Sequence, residues 1–282
     1  MTSHPAFASS HVAVITGGAS GIGFAAARAF AEKGMKVAIA DRDATALKAA
    51  GQVLATLIGD DNVLAIETDV GRRDDLVRLQ DQVLARFGKV HVLMNNAGMQ
   101  PGSAIFGPHE VWERILDVNL GGIVNGSQVF APGMIAHGEP ALIVNTGSKQ
   151  GITTPPGDPA YNVSKAGVKA FTEALQYALR NTEGCRVSAH LLIPGFVFTP
   201  LTARGRVEQP AGAWTPEQTV DFMLERLAAG DFYILCPDAE TNRALDEKRM
   251  AWAMGDLIEN RPPLSRWHKD YGEAFKAFLA EG

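Results

Sequence analysis

A hydroxyl, a phenol and an ammonium group lie close together near the middle of the sequence, in a spacing that could support proton transfer. Ser148 follows an apolar run, 141–144, that predicts a buried strand, and Tyr161 and Lys165 begin a long amphipathic helical pattern. Because these two residues are four positions apart, they project from one face of the helix. An ammonium beside a phenol favours the phenolate and lowers the phenol pKa towards working pH, so that the phenol can exchange a proton with a substrate oxygen. A Tyr-x-x-x-Lys spacing alone is common in ordinary helices, and the surrounding elements therefore have to support this interpretation.

A glycine-rich turn near the start of the sequence has the context of a dinucleotide-binding turn. A β-branched strand, Val12 to Thr16, runs into the segment TGGASGIG, which ends at Gly23, and an alanine-rich helix follows to about Lys33. Strand, glycine-rich turn and helix in this order let the backbone approach a pyrophosphate and present free helix N–H groups to it. Paired glycines occur in many tight turns, but the spacing G-x-x-x-G-x-G is more specific.

An acidic residue at the end of the second predicted strand (36–40) addresses the choice of cofactor. Asp41 lies 18 residues past Gly23, near the offset of about 20 at which a carboxylate binds the adenosine ribose. A carboxylate there accepts hydrogen bonds from the ribose hydroxyls and repels a 2′-phosphate, which favours NAD. Arg42 keeps NADP open as an alternative, because a guanidinium pairs well with a 2′-phosphate. The other interpretation of Arg42, which we prefer, is an exposed residue leading into the next helix.

Strands continue to alternate with helices along the sequence, the pattern of right-handed βαβ crossovers. The further predicted strands are 63–68, 90–94, 141–146, 186–193 and 232–235, and the predicted helices are 44–57, 74–87, 109–136, one through Tyr161 to about residue 180, and one from Thr215 to about residue 230. The predicted fold class is α/β: a single-domain, Rossmann-type, doubly wound parallel sheet of about seven strands. We expect this domain to span 12–236, after a flexible tail (1–11) and before a C-terminal extension (237–282) that packs on the same domain or on a neighbouring subunit.

Polar and glycine-containing segments follow the predicted strands, where open α/β sheets bind ligands. Asp69 and the Asn95–Gly98 turn (NNAG) lie at two such ends. The long helix 109–136 contains Asn119 followed by two glycines, residues that disfavour a helix interior and predict a local break. The segment 202–213 is polar and contains Gly and Pro, which predicts a mobile lid.

Composition argues against several classes of partner. The chain has 282 residues, 46% of them hydrophobic, 29 glycines and a net charge of −5 without a Lys/Arg cluster. This balance does not favour nucleic acid or an anionic membrane surface, and no apolar run approaches the roughly 20 residues of a membrane helix. Cys185 and Cys236 have no disulfide-framework or metal-ligand spacing, and the seven histidines are scattered. We expect a cytoplasmic protein without a signal peptide or a bound metal.

These motifs together resemble the single-domain branch of the short-chain dehydrogenases/reductases. The shared features are T-G-x-x-x-G-I-G at Thr16–Gly23, Asp41, Asp69, N-N-A-G at Asn95–Gly98, Asn119, Ser148, Tyr161-x-x-x-Lys165, Pro194-Gly195 and Thr199. They occur in order, with 13 positions between Ser148 and Tyr161, over roughly residues 12–235. Each motif alone is weak to fair, but the combination is highly specific.

The resemblance implies a role for each of these residues. Tyr161 would be the general acid/base, Ser148 would polarise the substrate oxygen, Lys165 would hold the nicotinamide ribose and lower the Tyr161 pKa, and Asn119 would anchor a proton-relay water. The implied cofactor-binding residues are Gly17, Ser20, Gly21, Ile22, Gly23, Asp41, Arg42, Asp69, Val70, Asn96, Ala97, Gly98, Tyr161, Lys165, Pro194, Gly195, Val197 and Thr199. The implied activity is hydride transfer between NAD(P) and a ketone or secondary alcohol, as in a short-chain alcohol dehydrogenase or carbonyl reductase.

The substrate and the assembly are less determined by the sequence. Residues near the proposed mouth of the site predict an apolar lining that suits a bulky or aryl ketone, and the arrangement looks like that of bacterial dehydrogenases of bulky aryl alcohols. The predicted pocket residues are Gln150, Thr153, Pro155, Phe196, Leu201 and Trp214. By resemblance we expect a homodimer through the two long central helices. The family's V-D-G-G turn is replaced by Leu235-Cys236-Pro237-Asp238 and about 45 residues follow, so a tetramer is only the alternative to this homodimer.

Two other functions on related folds are open at this point. One is a non-catalytic dinucleotide-binding or sensing protein, since fold alone does not give function. Intact Ser148, Tyr161, Lys165 and Asn119 argue against it, because a binder needs none of this set for proton transfer. The other is an epimerase or dehydratase of the larger branch of the superfamily, whose G-x-x-G-x-x-G spacing and larger substrate domain are absent here.

Overall fold

The predicted alternation builds one parallel sheet in the computed structural model, which describes residues 4–203, 205–238 and 241–280. The strands are β1 (Val12–Thr16), β2 (Lys36–Asp41), β3 (Val63–Glu67), β4 (Val92–Asn95), β5 (Ala141–Thr146), β6 (Val187–Ile193) and β7 (Tyr233–Leu235). Among the described residues the sheet has seven strands in the order β3-β2-β1-β4-β5-β6-β7, and all of their pairings are parallel. The predicted α/β fold is confirmed.

Helices cover both faces of this sheet, as its buried strands require. They are α1 (Gly21–Glu32), α2 (Ala44–Ile58), α3 (Arg73–Phe87), α4 (His109–Leu116), α5 (Gly122–Ala136), α6 (Gln150–Thr153), α7 (Pro159–Arg180), α8 (Pro200–Ala203), α9 (Pro216–Ala228), α10 (Arg243–Ile258) and α11 (Gly272–Ala280). The side chains of β1 alternate between two buried apolar clusters: Ala13 and Ile15 face one cluster, and Val12 and Val14 face the other. The strand order reverses between β1 and β4, which opens a crevice at the carboxyl ends of these strands.

The long helix predicted over 109–136 is broken where the sequence indicated. α4 ends at Leu116, a π-helical segment (Asp117–Gly121) follows, and α5 resumes at Gly122. The wider turn carries Asn119, whose side chain is fully buried. Single π-helical turns are frequent at functional sites, because they redirect one side chain without ending the helix.

The segment before β1 is packed in its described part, and our expectation of a flexible tail over 1–11 has to be corrected there. Pro5–Phe7 form a single 3-10 turn, Ala6 and Phe7 are buried, and the Phe7 ring lies against that of Phe30 on α1. The backbone of Ser10 also bonds to Gly34, with 2.8 Å between nitrogen and oxygen. Apolar burial explains the difference, since Ala6 and Phe7 contribute their side chains to the core.

The region after β7 packs on its own chain. Met250 of α10 lies against a buried cluster that includes Leu191 and Ile193 of β6. Trp252 is buried and stacks under the Arg261 guanidinium, 4.1 Å from the ring centroid, while its indole N–H donates to Ser265 at 2.8 Å. Residues 241–280 therefore form a small helical layer held by apolar contacts and a cation–π contact. None of the described helices combines the length and the hydropathy needed to cross a membrane.

The predicted lid, 202–213, is closed at its base by backbone pairing. Phe198 N donates to Trp214 O at 2.8 Å, and Trp214 N donates to Phe196 O at 2.9 Å. α8 precedes the segment, and residue 204 within it lies outside the described residues. The mobility of this lid stays a prediction.

Candidate active site

A single cleft at the carboxyl ends of the strands collects most of the residues selected from the sequence. Its lining is Gly17, Ser20, Gly21, Ile22, Asp41, Arg42, Thr68, Asp69, Val70, Asn96, Ala97, Gly98, Met99, Val118, Thr146, Gly147, Ser148, Tyr161, Lys165, Pro194, Gly195, Val197, Thr199, Pro200, Leu201 and Thr202. The cleft contains every predicted cofactor-binding residue except Gly23. Gly23 packs behind the turn, where an added Cβ would come within 2.2 Å of the Gly17 carbonyl oxygen.

The glycine-rich turn leaves backbone donors free to meet an anion. Gly17 has φ +62°, and an added Cβ there would lie 2.8 Å from the Ala97 Cα, so a larger residue would fill the floor of the cleft. Ser20 is the N-cap of α1, but its side chain makes no capping hydrogen bond. The first-turn N–H groups of α1 therefore keep their capacity to bind a ligand, and the helix dipole favours negative charge there. This cradle fits the pyrophosphate of a dinucleotide.

Acidic residues lie at the opposite end of the cleft from Ser148. Asp41 Oδ2 accepts from Ala19 N at 3.2 Å and Asp41 Oδ1 accepts from Asp43 N at 3.1 Å, which fixes this carboxylate beside the glycine-rich turn. Asp69 forms an ion pair with Arg114, 2.8 Å between Oδ2 and Nη2. The exposed Arg42 lies next to Asp41 on the cleft rim.

Thr16 joins the two turns that form the middle of the cleft, a role that its place in the glycine-rich motif does not predict. Its hydroxyl accepts from the backbone N–H groups of Asn96 and Ala97 at 3.0 and 3.2 Å. The Asn96 side-chain amide in turn donates to the Thr16 and Gly17 carbonyls at 3.3 and 3.4 Å. These bonds hold the β1 and β4 turns at a fixed separation, which a rigid ligand site requires.

Tyr161 and Ser148 meet in this cleft from different elements. Ser148 follows β5, and Tyr161 lies in the first turn of α7, where it is 8% exposed. Burial raises the pKa of Tyr161 to about 12, and a hydrogen bond with Ser148 works in the opposite direction. The phenol is therefore a neutral proton donor at physiological pH, hydrogen-bonded to the serine that shares the cleft.

Lys165 does not lower the Tyr161 pKa in the way that we expected from the spacing alone. Its ammonium lies 5.8 Å from the Tyr161 ring centroid and donates to the Thr146 carbonyl at 2.8 Å. Burial lowers the pKa of Lys165 itself to about 8. The two side chains share a helix face as predicted, but desolvation dominates the pKa of each of them.

Asn119 lies behind the lining rather than in it. Its side chain accepts from Met99 N at 2.8 Å, donates to Met99 O at 3.0 Å and donates to Ser164 Oγ at 3.2 Å. These bonds satisfy both backbone groups of Met99, the residue that directly follows the NNAG turn. A Cβ added to Gly98 would lie 3.4 Å from Asn119 Oδ1 and 3.8 Å from Lys165 Nζ, so both polar groups face the same small space.

Of the six predicted substrate-pocket residues, only Leu201 lines the cleft. Trp214 instead packs edge-on against Phe222 with 5.8 Å between ring centroids, and Phe196 lies under the Arg206 guanidinium at 5.7 Å. Gln150 and Thr153 form α6, and Pro155 follows it and accepts a hydrogen bond from Asn162. The apolar groups that do line the cleft include Met99, Val118, Val197 and Pro200. Two of them, Met99 and Pro200, directly follow recognised motifs, a signal that could have identified them.

An ion cluster behind Ser148 was also missed from the sequence. Lys149 Nζ lies 2.6 Å from Asp246 Oδ2 on α10 and 3.2 Å from Asp238 Oδ2. Asp238 Oδ2 in turn accepts from Phe196 N at 3.4 Å. This cluster ties the loops after β5 and β6 to the C-terminal region, and residues this far apart in sequence carry no local pattern that announces such contacts.

Three of the histidines, scattered in sequence, meet near the amino ends of the central strands, at the opposite end of these strands from the cleft. His11 stacks on His91 with 3.7 Å between centroids, and His91 lies 5.2 Å from His137. His11, His91 and Glu139 place ligand-type atoms within 4.8 Å of one another. However, His91 Nδ1 accepts from Val12 N at 3.1 Å, so its Nε2 carries the proton that faces Glu139 at 2.9 Å. This tautomer is arranged for hydrogen bonding rather than for metal ligation.

Comparisons with known proteins agree with the geometry of the cleft. The family described as short chain dehydrogenase matches residues 11–209. An oxidoreductase of Mycobacterium tuberculosis, SadH, is 42% identical over 166 residues, which are 58% of this chain and 59% of that relative, so the match spans less than two thirds of its length.

Two solved structures extend the likeness to most of the chain. The structure of a short chain dehydrogenase/reductase from Burkholderia phymatum in complex with NAD has a TM-score of 0.82 and 32% identity, and covers 93% of this chain and 98% of that one. The structure of an alcohol dehydrogenase from Thermococcus sibiricus, complexed with 5-hydroxy-NADP, has a TM-score of 0.69 and 27% identity, and covers 77% of this chain and 90% of that one.

Proposed function

The chain belongs to the short chain dehydrogenase family of oxidoreductases, and we propose that it transfers hydride between a nicotinamide dinucleotide and a ketone or secondary alcohol. The observation that carries this proposal is the contact between Ser148 and the Tyr161 phenol in the same cleft as the uncapped start of α1. A proton donor and a dinucleotide cradle in one cleft are the two parts that such a reaction needs.

The dimensions of the sheet support an extended dinucleotide. Asp41 ends β2 and Ser148 follows β5, and β1 and β4 lie between these strands. Three strand spacings are about 14 Å, and the glycine-rich turn lies between the two ends. Asp41 and Asp69 would bind the adenosine end, the start of α1 the pyrophosphate, and Lys165 and Pro194–Val197 the nicotinamide end. Asp41 supports NAD as the preferred cofactor.

The proton transfer follows from the charges in the cleft. When bound, the nicotinamide ring delivers hydride to a carbonyl carbon or accepts it from a secondary alcohol. In reduction, the neutral Tyr161 phenol donates its proton to the carbonyl oxygen, and Ser148 stabilises the charge on that oxygen by a hydrogen bond. Lys165, whose pKa is lowered to about 8, can then return a proton to Tyr161, and a water anchored by Asn119 would link Lys165 to solvent.

The lining supports an apolar substrate, which we propose to be a bulky or aryl ketone or its alcohol. Met99, which follows β4, and Val197 and Leu201, which follow β6, are apolar members of the lining on the two strands that flank β5 and Ser148. Charged side chains of the lining other than Lys165, namely Asp41, Arg42 and Asp69, belong to the β2 and β3 end. A carboxylate on the substrate would thus meet few partners near Tyr161.

A homodimer through α5 and α7 stays a prediction, consistent with Val163 and Tyr177, which are 50% and 61% exposed on α7.

Replacing Tyr161 by Phe tests the function directly. We expect turnover of NAD-dependent oxidation of an aryl secondary alcohol, and of NADH-dependent reduction of its ketone, to fall by about 10²–10⁴-fold, the usual contribution of general acid–base catalysis. Binding of NADH, followed by nicotinamide fluorescence, should persist because the phenol oxygen contributes only part of the nucleotide site.

Tyr271→Phe is the matched control, because it removes the same phenol hydroxyl from a residue of the C-terminal region that is outside the cleft lining. This variant should keep wild-type turnover. Wild-type turnover in Tyr161→Phe would overturn the assigned proton donor. A wild-type protein that binds neither NADH nor NADPH would overturn the oxidoreductase proposal itself.

A further inference from the structure

Asp158 is a buried carboxylate beside the proposed proton donor, and nothing in the reaction above uses it. It is the N-cap residue of α7 and is 8% exposed. Tyr161 follows three positions later, so the two side chains lie over the same first turn of the helix. An N-cap Asp normally accepts from the first N–H groups of its own helix, but the Asp158 side chain makes no such capping bond.

A serine from a distant loop takes the capping role in place of Asp158. Ser103, in the segment between β4 and α4, accepts from Ala160 N at 3.0 Å and donates to Asp158 Oδ1 at 2.5 Å. Asp158 Oδ2 is buried and has no hydrogen-bond partner among the described residues. The carboxylate is thus held by one bond, turned away from its own helix N–H groups, with half of its acceptor capacity unused. A buried carboxylate in this state costs stability unless it serves another purpose.

The electrostatic effect of Asp158 falls on Tyr161. The cationic groups on the surrounding elements have partners other than Asp158. Lys165 donates to Thr146, Lys149 pairs with Asp238 and Asp246, and Arg114 of α4 pairs with Asp69.

The remaining charged neighbours lie further from the phenol. Asp117 of the π-helical segment lies beside Gly71, and His109 and Glu113 pair on the exposed side of α4. The loop 99–108 carries no Asp, Glu, Lys or Arg. A negative charge one helical turn from a phenol disfavours its phenolate. Burial is the largest cause of the raised Tyr161 pKa, and the Asp158 carboxylate raises it further.

We propose that Asp158 is a positioning residue that keeps Tyr161 in its protonated form, so that the cleft at neutral pH is set for proton donation to a carbonyl oxygen. Ser103 holds the carboxylate in this position and fastens the loop 99–108 to the start of the catalytic helix. This inference rests on the proposed function, since it concerns the proton that Tyr161 exchanges. The chain would accordingly act as a ketone reductase over a wider range of pH than a homologue with a neutral residue at position 158.

The pH profile of Asp158→Asn tests this proposal. Loss of the negative charge should move the profiles of both directions to lower pH by roughly one unit. The alkaline limb of ketone reduction falls earlier, because the protonated phenol is lost earlier, and the rise of alcohol oxidation begins earlier for the same reason. Asp158→Glu retains the charge and should restore the wild-type position of both limbs. Asp81→Asn, an exposed carboxylate on α3, changes net charge equally and should leave the profile in place.

A second readout does not depend on turnover. Tyrosinate absorbance in the ultraviolet, compared between each protein and its Tyr161→Phe derivative, isolates the ionisation of Tyr161, and it should begin at lower pH in Asp158→Asn. Circular dichroism defines the range in which each variant is folded, and Asp158→Ser replaces the Asn variant if that one does not fold. An unmoved profile in a folded, active, charge-free variant would overturn the proposal. Lack of activity in the wild-type protein would instead overturn the proposed function.

Discussion

At the residue scale, Asp41 and Arg42 argue for opposite cofactors from neighbouring positions on the cleft rim. Asp41 is fixed by two backbone N–H groups beside the glycine-rich turn, at 3.1 and 3.2 Å, whereas Arg42 is exposed. A preorganised carboxylate pays less conformational entropy on binding than a long exposed side chain. We therefore expect NADH to bind more tightly than NADPH, by about 10-fold or more, since hydrogen bonds to a charged group contribute about 1.5–3 kcal/mol.

Fluorescence titrations of both nucleotides against three proteins measure this preference. Asp41→Ala should weaken NADH binding and remove most of the discrimination, while Arg42→Ala should leave the NADH affinity nearly unchanged. The prediction is contradicted if the wild type prefers NADPH and that preference disappears in Arg42→Ala.

The proton-transfer residues also show what a sequence can and cannot predict at this scale. The spacing of Tyr161 and Lys165 on one helix was sufficient to place them on one face, because helix geometry is local. The direction of the Tyr161 pKa was predicted wrongly, because burial raises it. That direction depends on burial by distant segments, on the turn of Lys165 towards Thr146 and on the orientation of Asp158. Long-range packing of this kind leaves no trace in residue spacing.

At the element scale, the π-helical segment Asp117–Gly121 positions the loop that follows β4. Asn119 satisfies both backbone groups of Met99 and is fully buried. In Asn119→Ala these groups lose their partner, and an unsatisfied buried polar group costs about 1–3 kcal/mol. We expect a loss of about 2 kcal/mol in the free energy of unfolding by urea, together with faster amide exchange across 99–107. Asn181→Ala, at the exposed end of α7, is the control and should change neither; unaltered exchange in Asn119→Ala would show that the loop is held by other contacts.

The break in this helix was predictable as a break, because Asn119 and the paired glycines after it all disfavour a regular interior. Its π-helical form was not predictable, since the form depends on the contacts of Asn119 with Met99 and Ser164.

The substrate pocket was predicted less well for a related reason. Aromatic residues near strand ends, such as Trp214 and Phe196, pack against Phe222 and Arg206 instead of lining the cleft, and a linear pattern does not distinguish the two outcomes.

At the scale of the whole molecule, the C-terminal region supports the cleft from behind instead of covering it. The described residues of 241–280 contribute nothing to the cleft lining. They reach the site through Lys149, which lies next to Ser148 and pairs with Asp238 and with Asp246 of α10. The sequence could delimit this region, but its attachment joins positions about 90–100 residues apart and could not be predicted from local pattern.

Replacing Lys149 by Met removes the one cation of this cluster that lies between two carboxylates. Breaking a buried ion pair on one side costs about 3–5 kcal/mol, because the remaining charges are left uncompensated. The pair is partly exposed, so we expect a loss at the lower end of this range, about 3 kcal/mol in the free energy of unfolding by denaturant at neutral pH.

Burial already raises the pKa of Asp246, an effect that Lys149 opposes. Without Lys149 that pKa rises further, so the folded variant binds more protons than the unfolded chain at pH values above the ordinary Asp range. The stability of Lys149→Met should therefore increase as the pH is lowered from 8 to 5, relative to wild type. Adding Asp238→Asn and Asp246→Asn to Lys149→Met should recover most of the loss and abolish this pH dependence. A loss that is independent of pH and is not recovered in the triple variant would mean that Lys149 acts through its packing alone, and that the C-terminal region is held to the cleft by its apolar contacts.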